Sequence, residues 1–181
     1  MTESSVAAPV DRLAEWQAVD SALRQGRTVY GIATREQVAG KSGLELFKAM
    51  IAGELPAPPI SQTLDFILVE AEHGRVVFQG RPGFAHYNPM GMVHGGWFAT
   101  LLDSALGCAT HTTLPAGVGY TSLGLEAKYV RPITRDTGRV LCEANVLYRG
   151  RRQATAEANL TAAESGKLLA HGVATLMILG G

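Results

Sequence analysis

The chain has 181 residues, 46% of them hydrophobic and 18% charged, and its formal net charge is zero. This composition predicts one globular domain with a sizeable core rather than a disordered chain. Zero net charge argues against nucleic acid and anionic membrane as partners, because both bind clustered positive charge.

The same survey predicts a cytoplasmic protein that needs no metal and no cofactor. No apolar run approaches the roughly 20 residues of a membrane span, and the N-terminus lacks the layout of a signal peptide. Cys108 and Cys142 form neither a CxxC pair nor a zinc-ligand series.

The first sixty residues carry two helical patterns. Residues 1–10 are small and polar and are expected to fray. From Asp11 to Gln25 apolar residues recur at helical spacing, and Gly26 is a plausible stop. Residues 27–40 have no clear period. Ser42 precedes a second amphipathic helix, which the prolines near residue 56 end.

Beyond residue 60 the hydrophobic period changes from 3.6 to 2, apart from one long helical segment at residues 94–111. Strands are predicted at residues 61–71 and 74–81, from Gly119 onward, and at residues 138–149, 153–162 and 167–179. Hairpins between consecutive strands make an antiparallel sheet, and one long helix can cover a face of it. The predicted fold class is therefore α+β.

The helix at residues 94–111 carries an aspartate that its core face does not explain. The core stripe consists of Phe98, Leu101, Leu102, Ala105 and Ala109. Asp103 lies off that stripe among glycine, alanine and threonine, a surface that another molecule could approach closely. A carboxylate that simply faces water fits the same helical wheel.

Two glycines stand where this helix begins. The backbone N–H groups near Gly95 and Gly96 are expected at the positive end of the helix dipole, where a negatively charged oxygen binds well. This is the geometry of an oxyanion hole. A flexible two-glycine turn is the ordinary alternative.

The spacing of six residues around this helix start resembles the signature of hotdog-fold acyl-CoA thioesterases. The residues are Asn88, Gly91, His94, Gly95, Gly96 and Asp103. The segments "GYTSLGLEAKYVRPI" and "GKLLAHGVATLMIL" are similar to two strands of the PaaI-like (phenylacetate-degradation) thioesterases and the related human THEM family. The resemblance covers residues 42–179.

The resemblance implies a hotdog fold, in which an antiparallel sheet wraps a long central helix, here with extra N-terminal helices. It implies a hotdog domain at residues 42–181, which leaves residues 1–41, with the helix that periodicity predicts near 11–25, as an N-terminal extension. It also implies a homodimer or a dimer of dimers, with active sites at the subunit interface.

The resemblance further implies hydrolysis of an aryl- or medium-chain acyl-CoA to the free acid and coenzyme A. Asp103 matches the catalytic carboxylate, as general base or nucleophile, and the Gly95 N–H matches the oxyanion donor. Asn88 matches the group that positions the water or the carbonyl. His94 matches an orienting position, with helix capping as its alternative role. Thr121 and Ser122 both remain candidates for placing the water.

Substrate binding is predicted at Gly96 and at arginines that could meet the phosphates of coenzyme A, namely Arg131, Arg149, Arg151 and Arg152. The acyl group, the choice between coenzyme A and carrier-protein thioesters, and the role of residues 1–41 stay open. Two alternative functions remain, a hotdog hydratase or dehydratase and a non-catalytic acyl-CoA-binding module. The pattern around Asp103 favours hydrolysis.

Overall fold

The computed structural model describes residues 9–180, so the prediction for residues 1–8 lies outside the described residues. The helices are α1 (Pro9–Ala22), α2 (Arg35–Val38), α3 (Gly43–Ala52), α4 (Pro59–Leu64) and α5 (Gly95–His111). The strands are β1 (Phe66–Glu72), β2 (Arg75–Gly80), β3 (Gly119–Tyr129), β4 (Val140–Arg149), β5 (Gln153–Ala162) and β6 (Leu168–Leu179). Short 3₁₀ turns occupy Phe84–His86 and Arg135–Thr137.

The six strands form one antiparallel sheet in the order β1-β2-β4-β5-β6-β3. The predicted α+β class is confirmed, but the expectation of hairpins between all consecutive strands is wrong at β3. This strand follows α5, crosses to the far edge of the sheet and pairs only with β6. Periodicity in the sequence identifies a strand but not the strand with which it pairs. The pairing of β3 depends on where α5 ends relative to the sheet.

The long helix α5 packs against one face of the sheet, as predicted. Its side chains Leu101, Leu102 and Ala105 are completely buried. The strands facing them carry small residues, and a Cβ built on Gly172 would lie 3.2 Å from Leu102 Cδ1. Small residues on the strands therefore let the helix lie close to the sheet.

The N-terminal helix α1 covers the opposite face of the sheet over β1 and β2. Its side chains Leu13, Trp16 and Val19 pack on a second apolar cluster, composed of Leu23, Ile67, Val69, Val77, Leu141 and Ala163. Asp20 is completely buried and accepts hydrogen bonds from Arg24 and from Arg81, which follows β2. The extra N-terminal helices are thus part of the packed molecule.

Local signals explain where the helices begin and end. The predicted helix at 11–25 is confirmed, although it starts earlier, at Pro9, and continues as a wider turn until Gly26 adopts a φ of 114°. Ser42 and Glu45 form a capping box at the start of α3. The four-residue helix α2 was not predicted because so short a helix shows no period.

The predicted strand at 61–71 is wrong in its first half. Residues Pro59–Leu64 form a helical turn, and β1 begins only at Phe66. Proline is well suited to the first turn of a helix, so Pro59 starts α4. The prediction that the prolines end α3 is wrong, because α3 ends at Ala52 and Gly53 caps it with a φ of 77°, ahead of the first proline. Asp65 separates the two elements with a φ of 52°. Among residues 9–180, no helix combines the length and apolar character that a membrane crossing requires.

Candidate active site

The first backbone N–H of α5, that of Gly95, is unpaired among the described residues. The His94 ring accepts a hydrogen bond from the Gly96 N–H through Nδ1 at 2.8 Å, and the His94 carbonyl accepts one from Trp97 at 2.9 Å. No residue in the described part of the chain accepts from the Gly95 N–H. This N–H lies at the positive end of the helix and is free to bind a negatively charged oxygen.

The His94 ring therefore satisfies the Gly96 N–H. The contact between them is the helix-capping alternative considered for His94, and it requires Nδ1 to be unprotonated. Because the Gly96 N–H already has an acceptor, the backbone of Gly95 is the better placed of the two glycines to meet a substrate. A role for Gly96 in substrate binding stays a prediction.

The loop before α5 is organised around Asn88. The Asn88 carbonyl accepts from the Gly91 N–H at 3.1 Å, closing a turn with Pro89 at its second position and Gly91 at a φ of 78°. Asn88 Oδ1 accepts from the backbone N–H groups of Met90 and Met92. The side-chain carbonyl is thus committed to the loop, and the amide NH₂ is the part that can donate to a ligand.

Asn88, Gly95 and Arg131 border one surface groove of about 290 Å³. Tyr129 lines the same groove, and its hydroxyl donates to the Gly95 carbonyl at 3.2 Å. Arg131 donates through Nη1 to the Leu168 carbonyl at 2.7 Å, and its side chain is otherwise exposed. Tyr129 had no predicted role, although its place in the Tyr-x-Arg-Pro segment was a signal for one.

Asp103 lies two turns further along α5 and is exposed. The Ser122 hydroxyl, on β3, donates to Asp103 Oδ1 at 2.9 Å. Thr121 points to the other face of the strand, because neighbouring strand residues alternate. Of the two candidates, Ser122 is the one that contacts the carboxylate.

Gly107, one turn after Asp103 on α5, lies where the helix contacts β3. A Cβ built on Gly107 would lie 2.5 Å from the Tyr120 hydroxyl oxygen, so the ring of Tyr120 fills the place of a side chain there. Burial, with a contribution from Cys108 and Asp103, raises the pKa of the Tyr120 phenol. The phenol therefore remains neutral beside the carboxylate.

Gly95 and Asp103 of one chain are too far apart to act on one thioester. Eight residues of helix separate them, which is about 12 Å along the axis. A reacting carbonyl carbon needs to lie about 3 Å from both the attacking group and the oxyanion donor. Asp103 also does not border the groove of Asn88 and Gly95.

The remaining arginines lie elsewhere. Arg149 ends β4 beside the turn at His73 and Gly74, and the Gly74 N–H donates to the Thr112 hydroxyl that follows α5. Arg151 and Arg152 belong to the next turn, before β5. Within one chain these arginines are at the C-terminal end of α5, whereas Arg131 is at its N-terminal end.

Known proteins resemble this chain over its sheet and long helix. The family described as the Thioesterase superfamily matches residues 90–169. Human acyl-coenzyme A thioesterase 13 is 32% identical over 105 residues, covering 58% of this chain and 74% of that protein. A phenylacetic acid degradation-related protein from Ralstonia eutropha is 28% identical with a TM-score of 0.66, covering 72% of this chain and 98% of its own.

A mutant of the phenylacetic acid degradation protein PaaI from Thermus thermophilus is also 28% identical, with a TM-score of 0.59, covering 66% of this chain and 97% of its own. The fold and these similarities define a hotdog-fold thioester hydrolase. The chain belongs to the thioesterase superfamily, and the resemblance to PaaI-like thioesterases in its sequence is confirmed.

Proposed function

We propose that the protein hydrolyses acyl-CoA thioesters at a site that two copies of the chain build together. The observation that carries this proposal is the separation of the free Gly95 N–H from the Asp103–Ser122 pair along a single helix. The name of the human relative supports acyl-CoA as the substrate class.

The chemistry divides between the copies. The thioester carbonyl oxygen accepts from the Gly95 N–H of one copy, where the helix dipole stabilises the developing negative charge. The Asn88 amide NH₂ borders the same groove and can donate to that oxygen or to the attacking water. The groove continues to Arg131, whose guanidinium is available for a phosphate of coenzyme A.

Asp103 of the other copy supplies the attacking group. Ser122 donates to Oδ1, which leaves Oδ2 free to take a proton from water or to attack the carbonyl carbon itself. When Asp103 acts as the base, water adds to the carbonyl carbon, the C–S bond breaks, and coenzyme A takes a proton and leaves as the thiol. When Asp103 is the nucleophile, its carboxylate displaces coenzyme A to form a mixed anhydride, which water then hydrolyses to the free acid and the regenerated carboxylate. Both roles of Asp103 lead to the same products.

The exposed edge of the sheet offers the surface for the second copy. Strand β3 pairs on one side only and carries Ser122, so a copy that docks along it brings its own α5 towards Asp103. A homodimer is the smallest assembly that completes the site. Cytoplasmic location, a possible dimer of dimers and independence of any cofactor remain predictions.

The non-catalytic and hydratase alternatives fit less well. A passive acyl-CoA binder gains nothing from a carboxylate beside an electrophilic carbon. A hydratase needs an acid–base pair along the acyl chain, whereas the His94 ring is turned to its own helix.

Replacing the carboxylate tests the reaction directly. Asp103→Asn should lower kcat on acyl-CoA by about 10²–10⁴, the usual size of a general base's contribution. Asp136→Asn is the matched control, because Asp136 is also exposed but lies in the turn before β4. Release of free coenzyme A, followed with a thiol reagent, measures both variants. Wild-type rates in a folded Asp103→Asn protein would contradict the proposal.

Mixing two impaired variants tests whether the site is shared. Asp103→Asn and Asn88→Ala proteins, unfolded and refolded together, form mixed dimers in which one of the two sites is intact. A one-to-one mixture should recover roughly a quarter of wild-type activity, since half the dimers are mixed. Each variant refolded alone is the control. Recovery no greater than the sum of the two separate proteins would show that each chain contains a complete site.

A further inference from the structure

The first turn of α5 begins with two consecutive glycines, Gly95 and Gly96, and Gly95 borders the groove of Asn88 and Arg131. Glycine has more backbone freedom than any other residue, so the two glycines by themselves leave the direction of the Gly95 N–H loosely defined. An oxyanion donor is most effective when it already points at the developing charge before the reaction begins. The direction of this N–H therefore has to be fixed by contacts from outside the two glycines.

Side chains hold three of the four backbone polar groups of these glycines. His94 Nδ1 accepts from the Gly96 N–H, and the Thr100 hydroxyl donates to the Gly96 carbonyl, both at 2.8 Å. The Tyr129 hydroxyl donates to the Gly95 carbonyl at 3.2 Å. Within residues 9–180 the fourth group, the Gly95 N–H, has no acceptor. The contacts thus restrain the start of the helix and leave free the N–H that the proposed function assigns to the oxyanion.

Of these three side chains, that of Tyr129 comes from another element. His94 and Thr100 belong to the helix and its cap and move with it, whereas Tyr129 is the last residue of β3. Its backbone pairs with β6, and its ring packs edge-on against the buried Phe98, with ring centroids 5.4 Å apart. The hydroxyl therefore holds the Gly95 carbonyl from a position that the sheet and the core determine.

Close packing does not account for this pair of residues. A Cβ built on Gly95 would lie 3.5 Å from Tyr129 Cζ, an ordinary van der Waals distance, so the ring and the helix are not pressed together. Tyr129 is also 55% exposed and buries less of its ring than a core aromatic does. The specific interaction is the hydrogen bond, because phenylalanine has the same ring and lacks only the hydroxyl.

We propose that Tyr129 is a positioning residue for thioester hydrolysis, which holds the first turn of α5 so that the Gly95 N–H points at the developing oxyanion. The proposal rests on the proposed function and adds a residue to its oxyanion site. The hydroxyl acts through the Gly95 carbonyl and not on the substrate. Its loss should therefore weaken the transition state, in which the oxygen carries charge, more than the binding of the substrate.

Tyr129→Phe tests the proposal, because it keeps the ring and removes the hydroxyl. With the acyl-CoA that the wild type hydrolyses fastest, kcat should fall about tenfold, and KM should stay within about twofold of the wild-type value. Tyr148→Phe is the matched control, since Tyr148 is 65% exposed on β4 and lies outside the groove. This variant should keep the wild-type values of both constants.

The stretching frequency of a bound carbonyl separates positioning from a general effect on the fold. In the ketone analogue of the same acyl-CoA a methylene replaces the sulfur, so the analogue binds without being hydrolysed. A well-directed N–H lowers the carbonyl frequency of the bound analogue. Infrared difference spectra at saturation should show this frequency moved towards that of the free analogue in Tyr129→Phe and unchanged in Tyr148→Phe.

Three results would overturn the proposal. They are an unchanged kcat in Tyr129→Phe, a lowered kcat with the wild-type carbonyl frequency, and a raised KM with an unchanged kcat, which would make the hydroxyl a contact for the substrate. The proposed function would stand in all three cases as long as Asp103→Asn lowered kcat. Equal rates in wild type and Asp103→Asn would overturn the proposed function itself, whatever the carbonyl frequency.

Discussion

The two edge strands of the sheet, β1 and β3, differ in how far the rest of the chain covers them. The β1 edge is flanked by helices of its own chain, with α1 on the outer face and α3 on the inner one, and Arg12 and Arg75 pair with Glu70. The β3 edge has no such cover. Leu123 is 57% exposed there, and most of the strand is exposed with it.

This contrast separates stability from assembly. An unpaired strand edge is a template for association, and proteins that do not use such an edge cover or charge it. The N-terminal helices pack on the strand far from Asp103, and the strand that carries Ser122 stays exposed. We therefore expect changes at β1 to alter the stability of the single chain, and changes at β3 to alter pairing and turnover.

The largest effect is expected from a charge on the bare edge. Leu123→Arg places like charges opposite each other across a two-fold axis, which should weaken the dimer by about 3 kcal/mol, or roughly a hundredfold in Kd. Leu147→Arg is a matched control, because Leu147 is 56% exposed on β4, away from that edge. Analytical ultracentrifugation measures both. A Leu123→Arg protein as dimeric as the control would rule out β3 as the interface.

A smaller effect is expected at the covered edge. Trp16→Ala removes an indole that packs on the outer apolar cluster and donates to Glu70, so the free energy of unfolding should fall by about 2–3 kcal/mol. Glu15→Ala, one residue earlier and exposed, should change it by less than about 0.5 kcal/mol. Urea denaturation gives both values. Equal stability of the two variants would mean that α1 does not hold the sheet.

Loss of the contact between β3 and Asp103 should lower kcat by about one order of magnitude. Ser122→Ala removes the hydrogen bond to Oδ1 and should lower kcat about tenfold. Thr121→Ala, on the opposite face of the same strand, should leave kcat within about twofold of the wild type. If both variants behave alike, the hydroxyl of Ser122 has no part in turnover.

The smallest effect concerns His111, where the two regions meet. Its ring packs on Phe47 of α3 and on Tyr120 of β3, and burial lowers its pKa. The unfolded chain takes up the proton near pH 6.5, whereas the folded protein does so only at lower pH. Stability should therefore decline as the pH falls below about 6.5 and level off below the folded pKa.

His111→Gln isolates this contribution, because glutamine does not titrate. Urea denaturation at neutral pH and at about pH 5.5 should show a larger loss of stability in the wild type than in the variant. Identical losses would indicate that the His111 ring is not held neutral by the fold.

The sequence predicted those parts of the fold that have a strong local period. The alternation of alanine with polar residues placed β5 at 153–162, and the apolar stripe placed α5. Pro59 misled the prediction of α4, because proline both ends and starts helices. The pairing of β3 with β6 could not be foreseen, since strand period says nothing about partners.

The candidate site residues likewise fall into those that the sequence identified and those that required the structure. Asn88, Gly95 and Asp103 were visible through the spacing of a short motif. The choice between Thr121 and Ser122 required the phase of β3 relative to α5, which depends on tertiary packing.

The distance of eight residues between Gly95 and Asp103 has a consequence for how the enzyme responds to its own abundance. Under the proposed function a lone chain has two halves of different sites and no complete one. Turnover per chain then falls steeply once the protein is diluted below the Kd of its dimer, so the specific activity reports the expression level. A defective copy also inactivates part of a healthy one, and the effect of a damaged allele reaches beyond the chains that it encodes.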